Sequence, residues 1–453
     1  MTALLYLLGV VIFVVAILAS IGLHELGHMI PAKAFGGKVT QYFIGFGPTV
    51  WSKQVGETEY GIKAIPLGGY VKIVGMLPPG ADELVEVEAG AAAAGEPQTF
   101  RVRKSNTGMF TQLISDARAA EWELVGPEDS DRLFYRMSWW KKVVVMAGGP
   151  TVNLAIAFVI FTGVFATFGN PADIRSKTVI DEVNACVLPS FDSGRVCTPE
   201  EIDSSPAPAR AAGMRAGDRI VSFNGTPITS WSQVQRFVKD NGTRTAEIVV
   251  ERGGRDVALT VTPAVRPPTS AGQKADTKVG FLGVVPVTER ATGGPFYTLR
   301  QMGTMTVDVV QSLVTLPAKV WGVAKAIVGV EQRDPEGPVS IVGGGRLAGE
   351  TAAETSIDTT SKLVSLLLLV AGFNFFIGMF NLVPLLPLDG GHIASALWEA
   401  VRRGWARVTR RPDPGYVDAA KLLPVAYVVA SVLLVMSLVL IVGDLVVPVR
   451  LYS

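Results

Sequence analysis

The chain has 453 residues, room for about three domains of ordinary size, and 49% of them are hydrophobic against 18% charged, with a mean hydropathy of +0.36. Average soluble chains carry roughly 25% charged residues, so a wholly soluble protein is excluded. A formal charge of +1 supplies no basic field for phosphates, and nucleic acid is not an expected partner.

Four apolar stretches, 1–23, 143–172, 363–388 and 422–443, each reach the roughly 20 residues that a helix needs to cross about 30 Å of hydrocarbon. The first begins without Lys or Arg and exceeds the apolar core of a secretion signal, so it is expected to stay as a span rather than be cleaved. Lys33, Lys38, Arg136, Lys141 and Lys142 flank the first loop, and Arg402, Arg403, Arg407, Arg410, Arg411 and Lys421 fill the third. By the positive-inside rule these loops are cytoplasmic, which puts the long segment between spans two and three, and both termini, on the outer side.

In chain order, residues 1–76 hold the first span and two glycine-rich, β-prone runs at 42–51 and 60–74, expected to form two short strand pairs. Residues 77–135 form a cytoplasmic insert that is acidic, Ala-rich and punctuated by Pro-Gly, a composition of loose order. The second span follows in 136–172. Residues 173–290 alternate β-type runs with turns around a helix at 232–239, as a compact α/β module outside the membrane. Residues 291–360 contain an amphipathic helix, at 297–330, that suits either the membrane interface or packing on the α/β module. The third and fourth spans occupy 361–453.

The chemistry gathers at the inner end of the first span, in His24-Glu25-Leu-Gly-His28. Positions i and i+4 share a helix face, so both imidazoles can reach one cation while Glu25 can reach a water beside it. Only three histidines occur in the chain, and charged side chains inside a span are normally kept where they face a polar cavity. Zinc needs a third ligand, and Asn381-Leu-Val-Pro-Leu-Leu-Pro-Leu-Asp389-Gly-Gly-His392 provides one where prolines and glycines break the third span. Asp389 is the expected ligand, its alternative use being to cap the next helix. His392 is either a replacement ligand or a second-layer partner of Asp389. Two cysteines, Cys186 and Cys197, are too few for a disulfide framework and form either one local bridge or two free thiols.

Taken together, these motifs resemble the site-2 protease family of intramembrane zinc metalloproteases, and most closely its bacterial regulator-of-sigma-E group. The resemblance runs through the HExxH motif, Gly45-Phe-Gly-Pro48, Ile65-Pro-Leu-Gly-Gly-Tyr-Val71, Gly148-Gly-Pro-Thr-Val-Asn153 and Asn381 through Gly390 in order. It implies a mainly α membrane protein of four transmembrane helices with membrane-associated β-hairpins and an outer PDZ-like domain, carried by Ala211 through Gly225. It also implies Zn2+ on His24, His28 and Asp389, with Glu25 as catalytic base and Asn381 on the substrate backbone. Gly45, Gly47, Gly68 and Gly69 lie in strands offering an edge to an unwound substrate, and Asn153 and His392 are candidates for supporting the ligands. The implied substrates are single-pass membrane proteins, such as anti-sigma factors or signal-peptide remnants, cut within the lipid bilayer of the bacterial cytoplasmic membrane. A transporter would show a repeated half-structure, which is absent from the sequence. A catalytically silent receptor on the same scaffold would not need Glu25 together with all three ligands.

Overall fold

A computed structural model describes residues 2–78, 84–85, 101–102, 109–122, 125–188, 196–267, 274 and 276–449. The chain divides into two compact units, Met1–Val164 with Gly293–Ser453, and Phe165–Thr292.

Helix α1 (Thr2–Ala34) continues well past the apolar run, so the HExxH motif lies in unbroken helix. Its apolar side chains Leu4, Leu7, Leu8, Val11 and Val15 are exposed, whereas Phe13 and Ile17 are buried. A helix apolar on every face suits a membrane, where lipid replaces water on the exposed side.

Strands β1 (Val39–Val55) and β2 (Thr58–Ile73) differ from the expected two short pairs. They are two long strands folded on themselves: Tyr42 opposes both Val71 and Tyr60, and Phe43 opposes both Tyr70 and Gly61. The first half of β1 therefore lies between the two halves of β2. Gly45, at φ +92°, permits the bend; a side chain there would meet the Ile65 carbonyl at 2.7 Å. Glycines that read as strand ends are bulges inside longer strands.

Two-residue strands β3 (Leu84–Val85) and β4 (Arg101–Val102) pair, and helix α2 (Met109–Trp122) follows. The expectation of loose order fails for this later part of the insert. Trp122 is buried with Val74, Val125, Leu133 and Tyr135, and the Glu121 carboxylate accepts from the N–H groups of Gly75 and Met76. A few apolar anchors were hidden by the segment's average composition; 79–83, 86–100, 103–108 and 123–124 lie outside the described residues. Helix α3 (Trp139–Thr167) crosses α1 at Gly27 and Gly148, where a Cβ on either glycine would strike the other's backbone.

The second unit contains β5 (Asn170–Val183), short helices α4 (Pro199–Ser204) and α5 (Pro208–Ala211), β6 (Arg219–Phe223), β7 (Thr226–Pro227), α6 (Trp231–Asn241), β8 (Ala246–Arg252), β9 (Arg255–Val261), β10 (Ala264–Arg266), β11 (Asp276–Phe281) and β12 (Val284–Ala291). The main sheet has the order β12-β5-β6-β8-β9, with β7 beside β6, while β10 and β11 pair separately. Ile180, Ile220, Phe223, Trp231, Val234 and Ile248 form its core. Cys186 and Cys197 are joined in a disulfide, which decides between the two alternatives left by the sequence.

Helix α7 (Pro295–Ile327) packs against the later apolar helices, with Val323 against Gly443. Helix α8 (Ile341–Ala353) lies against α1, Ala348 being buried with Phe13 and Ile17. Helix α9 (Thr359–Asn381) ends at Asn381, shorter than the third apolar run, and α10 (Asp389–Val408) begins at Asp389. The prolines of 384–387 stop the helix rather than kink it. Helix α11 (Leu423–Val446) completes the unit. Four helical segments, Thr2–Ala34, Trp139–Thr167, Thr359–Asn381 and Ala419–Val446, are long and apolar enough to cross a membrane.

Candidate metal centre

His24 and His28 project from one face of α1 and are 8% and 6% exposed. The Nδ1 of His28 lies 2.8 Å from the Val145 carbonyl of α3. With Nδ1–H donating there, the Nε2 lone pair is free to bind a cation. The ring nitrogens Nε2 of His24 and His28 are 3.2 Å apart, and each is 3.3 Å from Oδ2 of Asp389.

These three atoms form a nearly equilateral triangle. A tetrahedral zinc ion with bonds of about 2.0–2.1 Å separates its ligand atoms by about 3.3 Å. Asp389 Oδ2 is buried and accepts no hydrogen bond among the described residues. Two imidazoles and one carboxylate also match the donor chemistry of zinc, so the residues fit the ion. Among the described residues this is the one group of three or more such side chains close enough to hold a metal.

Local sequence explains the placement. Leu388 occupies the N-cap position of α10 and no side chain caps that end. Asp389 is already the first helical residue and does not serve the capping use considered above. Gly390 and Gly391 pack against the backbone of 382–386, where a Cβ would meet the Leu382 and Val383 carbonyls or the Leu386 amide. The glycine pair thus lets the loop fold back onto the start of α10.

Glu25 lies beside β2, where Gly69 is so close that a Cβ would stand 3.1 Å from Glu25 Cγ. Gly69 is therefore the member of the glycine set brought beside Glu25. Gly45, Gly47 and Gly68 have positive φ and shape the bends of the two strands. Asn381 is the last, half-buried residue of α9. Asn153 is fully buried on α3, and neither of its amide atoms finds a hydrogen-bond partner among the described residues. His392 contributes no atom to the triangle.

Gly149 was not singled out from sequence, although its motif was. A Cβ there would collide with His28 Nε2 and stand 2.7 Å from His24 Nε2. The Gly-Gly pair inside an apolar helix was the available signal, since consecutive glycines weaken a helix unless something must approach closely.

The chain matches the family model Peptidase family M50 over residues 12–411. It belongs to peptidase family M50. The family resemblance read from the motifs is thus borne out. The chain is 34% identical to Zinc metalloprotease Rip1 of Mycobacterium tuberculosis, covering 99% of this chain and 100% of that one. It is 35% identical to Zinc metalloprotease Rip1 of Mycolicibacterium smegmatis, with 98% and 99% covered. Regulator of sigma-W protease RasP of Bacillus subtilis is 25% identical over 87% of this chain and 90% of its own. In this M50 peptidase, two imidazole nitrogens and the Glu25 carboxylate of α1 meet the Asp389 carboxylate of α10 beside α3 and β2, an arrangement able to bind an ion and to exchange a proton beside it.

Proposed function

We propose that this M50 peptidase is an intramembrane zinc metalloprotease that cuts single-pass membrane proteins within their spanning segments, after a first cut outside the membrane. The triangle of His24 Nε2, His28 Nε2 and Asp389 Oδ2 carries this reading, because it is set among helices long and apolar enough to cross a bilayer. The relatives named as zinc metalloproteases support the choice of metal.

His24, His28 and Asp389 would hold zinc, which when bound supplies a Lewis acid and makes water a nucleophile near neutral pH. Glu25 is the base. Its carboxylate, set beside Gly69 of β2, accepts a proton from the attacking water and delivers it to the amide nitrogen that leaves. A helical peptide hides its carbonyls in its own hydrogen bonds, so the substrate must be extended before attack. The half of β2 that carries Gly68 and Gly69 offers an edge for it, and the missing side chain at Gly69 lets that strand pack directly against Glu25. Asn381 would hold the substrate backbone, with Gly45 and Gly47 shaping the strands and Asn153 and His392 supporting the ligands.

Basic residues in the first and third loops favour a cytoplasmic active site, with the second unit and both termini outside. The Cys186–Cys197 disulfide suits an oxidising compartment for that unit. The unit is read as a PDZ-like domain. A groove of about 450 Å³ between α6 and the β11–β12 region, lined by Trp231, Val238, Lys239, Phe281 and Gly283, would take the outer remainder or new C-terminus of a substrate. Anti-sigma factors are the favoured substrate class, in keeping with the Bacillus relative's name as a regulator of sigma-W; signal-peptide remnants are the second.

The test is co-expression with a single-pass substrate whose outer domain is already truncated. Wild type is expected to yield a shortened product, while Glu25→Gln keeps zinc and yields none. A product from both proteins overturns the assignment of Glu25.

A further inference from the structure

Helix α10 begins at the metal centre and has two dissimilar faces. Ala396, Glu399 and Ala406 are buried. Leu397, Trp398, Val401, Trp405 and Val408 are exposed by 45%, 58%, 59%, 66% and 80%. At about 100° per residue these five fall within one arc of about 100°.

Glu399 meets Lys142 of α3 at 2.7 Å. This pair sets the middle of α10 level with the first turn of α3, where Trp139 and Trp140 are also exposed. Exposed tryptophans at the end of a spanning helix mark the headgroup layer of a bilayer. The apolar face continues into a groove of about 300 Å³ bordered by Leu385, Leu386, Trp398, Leu422 and Val425.

Charge at this level is one-sided. Arg407 on α10, and Arg410 and Arg411 just beyond it, are exposed and make no ion pair among the described residues. The nearby carboxylates are already taken: Glu399 by Lys142 and Arg403, Asp413 by Arg403, and Asp418 by Arg118. Three free guanidiniums beside an apolar face that carries two tryptophans complement a phosphate-rich, acyl-chain-backed surface.

We propose that α10 is a lipid-binding anchor selective for anionic phospholipids. Its Leu397-to-Val408 face rests in the acyl-chain boundary, and Arg407, Arg410 and Arg411 hold the phosphates. Because Asp389 is the first residue of this helix, the same contact ties a metal-site residue to the lipid surface.

The full-length protein would be reconstituted in phosphatidylcholine vesicles containing either brominated phosphatidylglycerol or brominated phosphatidylcholine at equal mole fraction. The Trp398 and Trp405 signal is the difference between wild type and W398F/W405F. Brominated phosphatidylglycerol is expected to quench that pair at least twofold more than brominated phosphatidylcholine. The preference should vanish in R407A/R410A/R411A, and at 1 M salt, where screening acts within about 3 Å. Equal quenching by the two lipids, no quenching by either, or a preference that survives the triple substitution overturns the proposal. Because proteolysis is not measured, this result stands or falls separately from the peptidase mechanism.

Discussion

Gly149 governs whether the two imidazoles have room for an ion. Gly149→Ala would place a methyl group against both Nε2 atoms, and zinc in the purified protein should fall at least tenfold by elemental analysis. Retention of full zinc content in that variant would show that α3 can retreat from the site. His24, Glu25 and His28 were legible because their spacing and donor chemistry lie within five consecutive letters, and Asp389 because prolines and glycines interrupt an apolar run beside it. Gly149 was not, because its contribution is an absent side chain at a distance set by the crossing of α1 and α3. Asn153 was legible as a supporting candidate within its motif; its burial without a hydrogen-bond partner among the described residues emerges from the fold alone.

Among elements, α10 is held by a buried ion pair. Lys142 and Glu399 have side chains 7% and 2% exposed, and Tyr416 lies under both Lys142 and Arg403. Stranding one charge of a buried pair costs about 3–5 kcal/mol, whereas an apolar pair of similar volume is often neutral. Lys142→Met should therefore lower the unfolding temperature of the solubilised protein and its zinc content, and Lys142→Met with Glu399→Met should recover most of both. A double variant no better than the single would mean that the ion pair itself is required. In the second unit, Asp218 is buried, which would raise its pKa, but hydrogen bonds from the Arg252 guanidinium and the Arg215 N–H bring it below the ordinary carboxylate value. Its contribution is complete above the unfolded value of about 3.9 and is lost as pH falls through the lower folded value. Protection factors for hydrogen exchange in β6 and β8 of the intact protein, taken relative to the intrinsic rate at each pH, should thus fall below about pH 4, and Asp218→Asn should lower them already at neutral pH. Unchanged exchange in that variant would remove Asp218 from the account. The elements themselves were unevenly readable. Long apolar runs announced the four spans, whereas the bends of β1 and β2 and the anchoring of α2 by Trp122 depend on partners far along the chain.

For the whole molecule, the proposed orientation rests on flanking charge and on the disulfide, and one substitution examines both. In Cys186→Ser the freed Cys197 thiol is expected to react with a membrane-impermeant maleimide on intact spheroplasts; labelling only after lysis would invert the topology. Closing a loop with a sequence separation of 11 residues contributes about 3 kcal/mol in the chain-entropy account, so the variant should also unfold at a lower temperature in the second unit. The metal triangle has a further consequence, in the order of synthesis. His24 and His28 leave the ribosome with the first span, but Asp389 follows about 360 residues later, a delay of roughly 20–70 s at ordinary translation rates. During that interval a nascent chain holds only part of the donor set. On the proposed mechanism, a chain whose translation stops early would carry two of the three metal-holding side chains, so peptide cleavage would be withheld until α10 has been made.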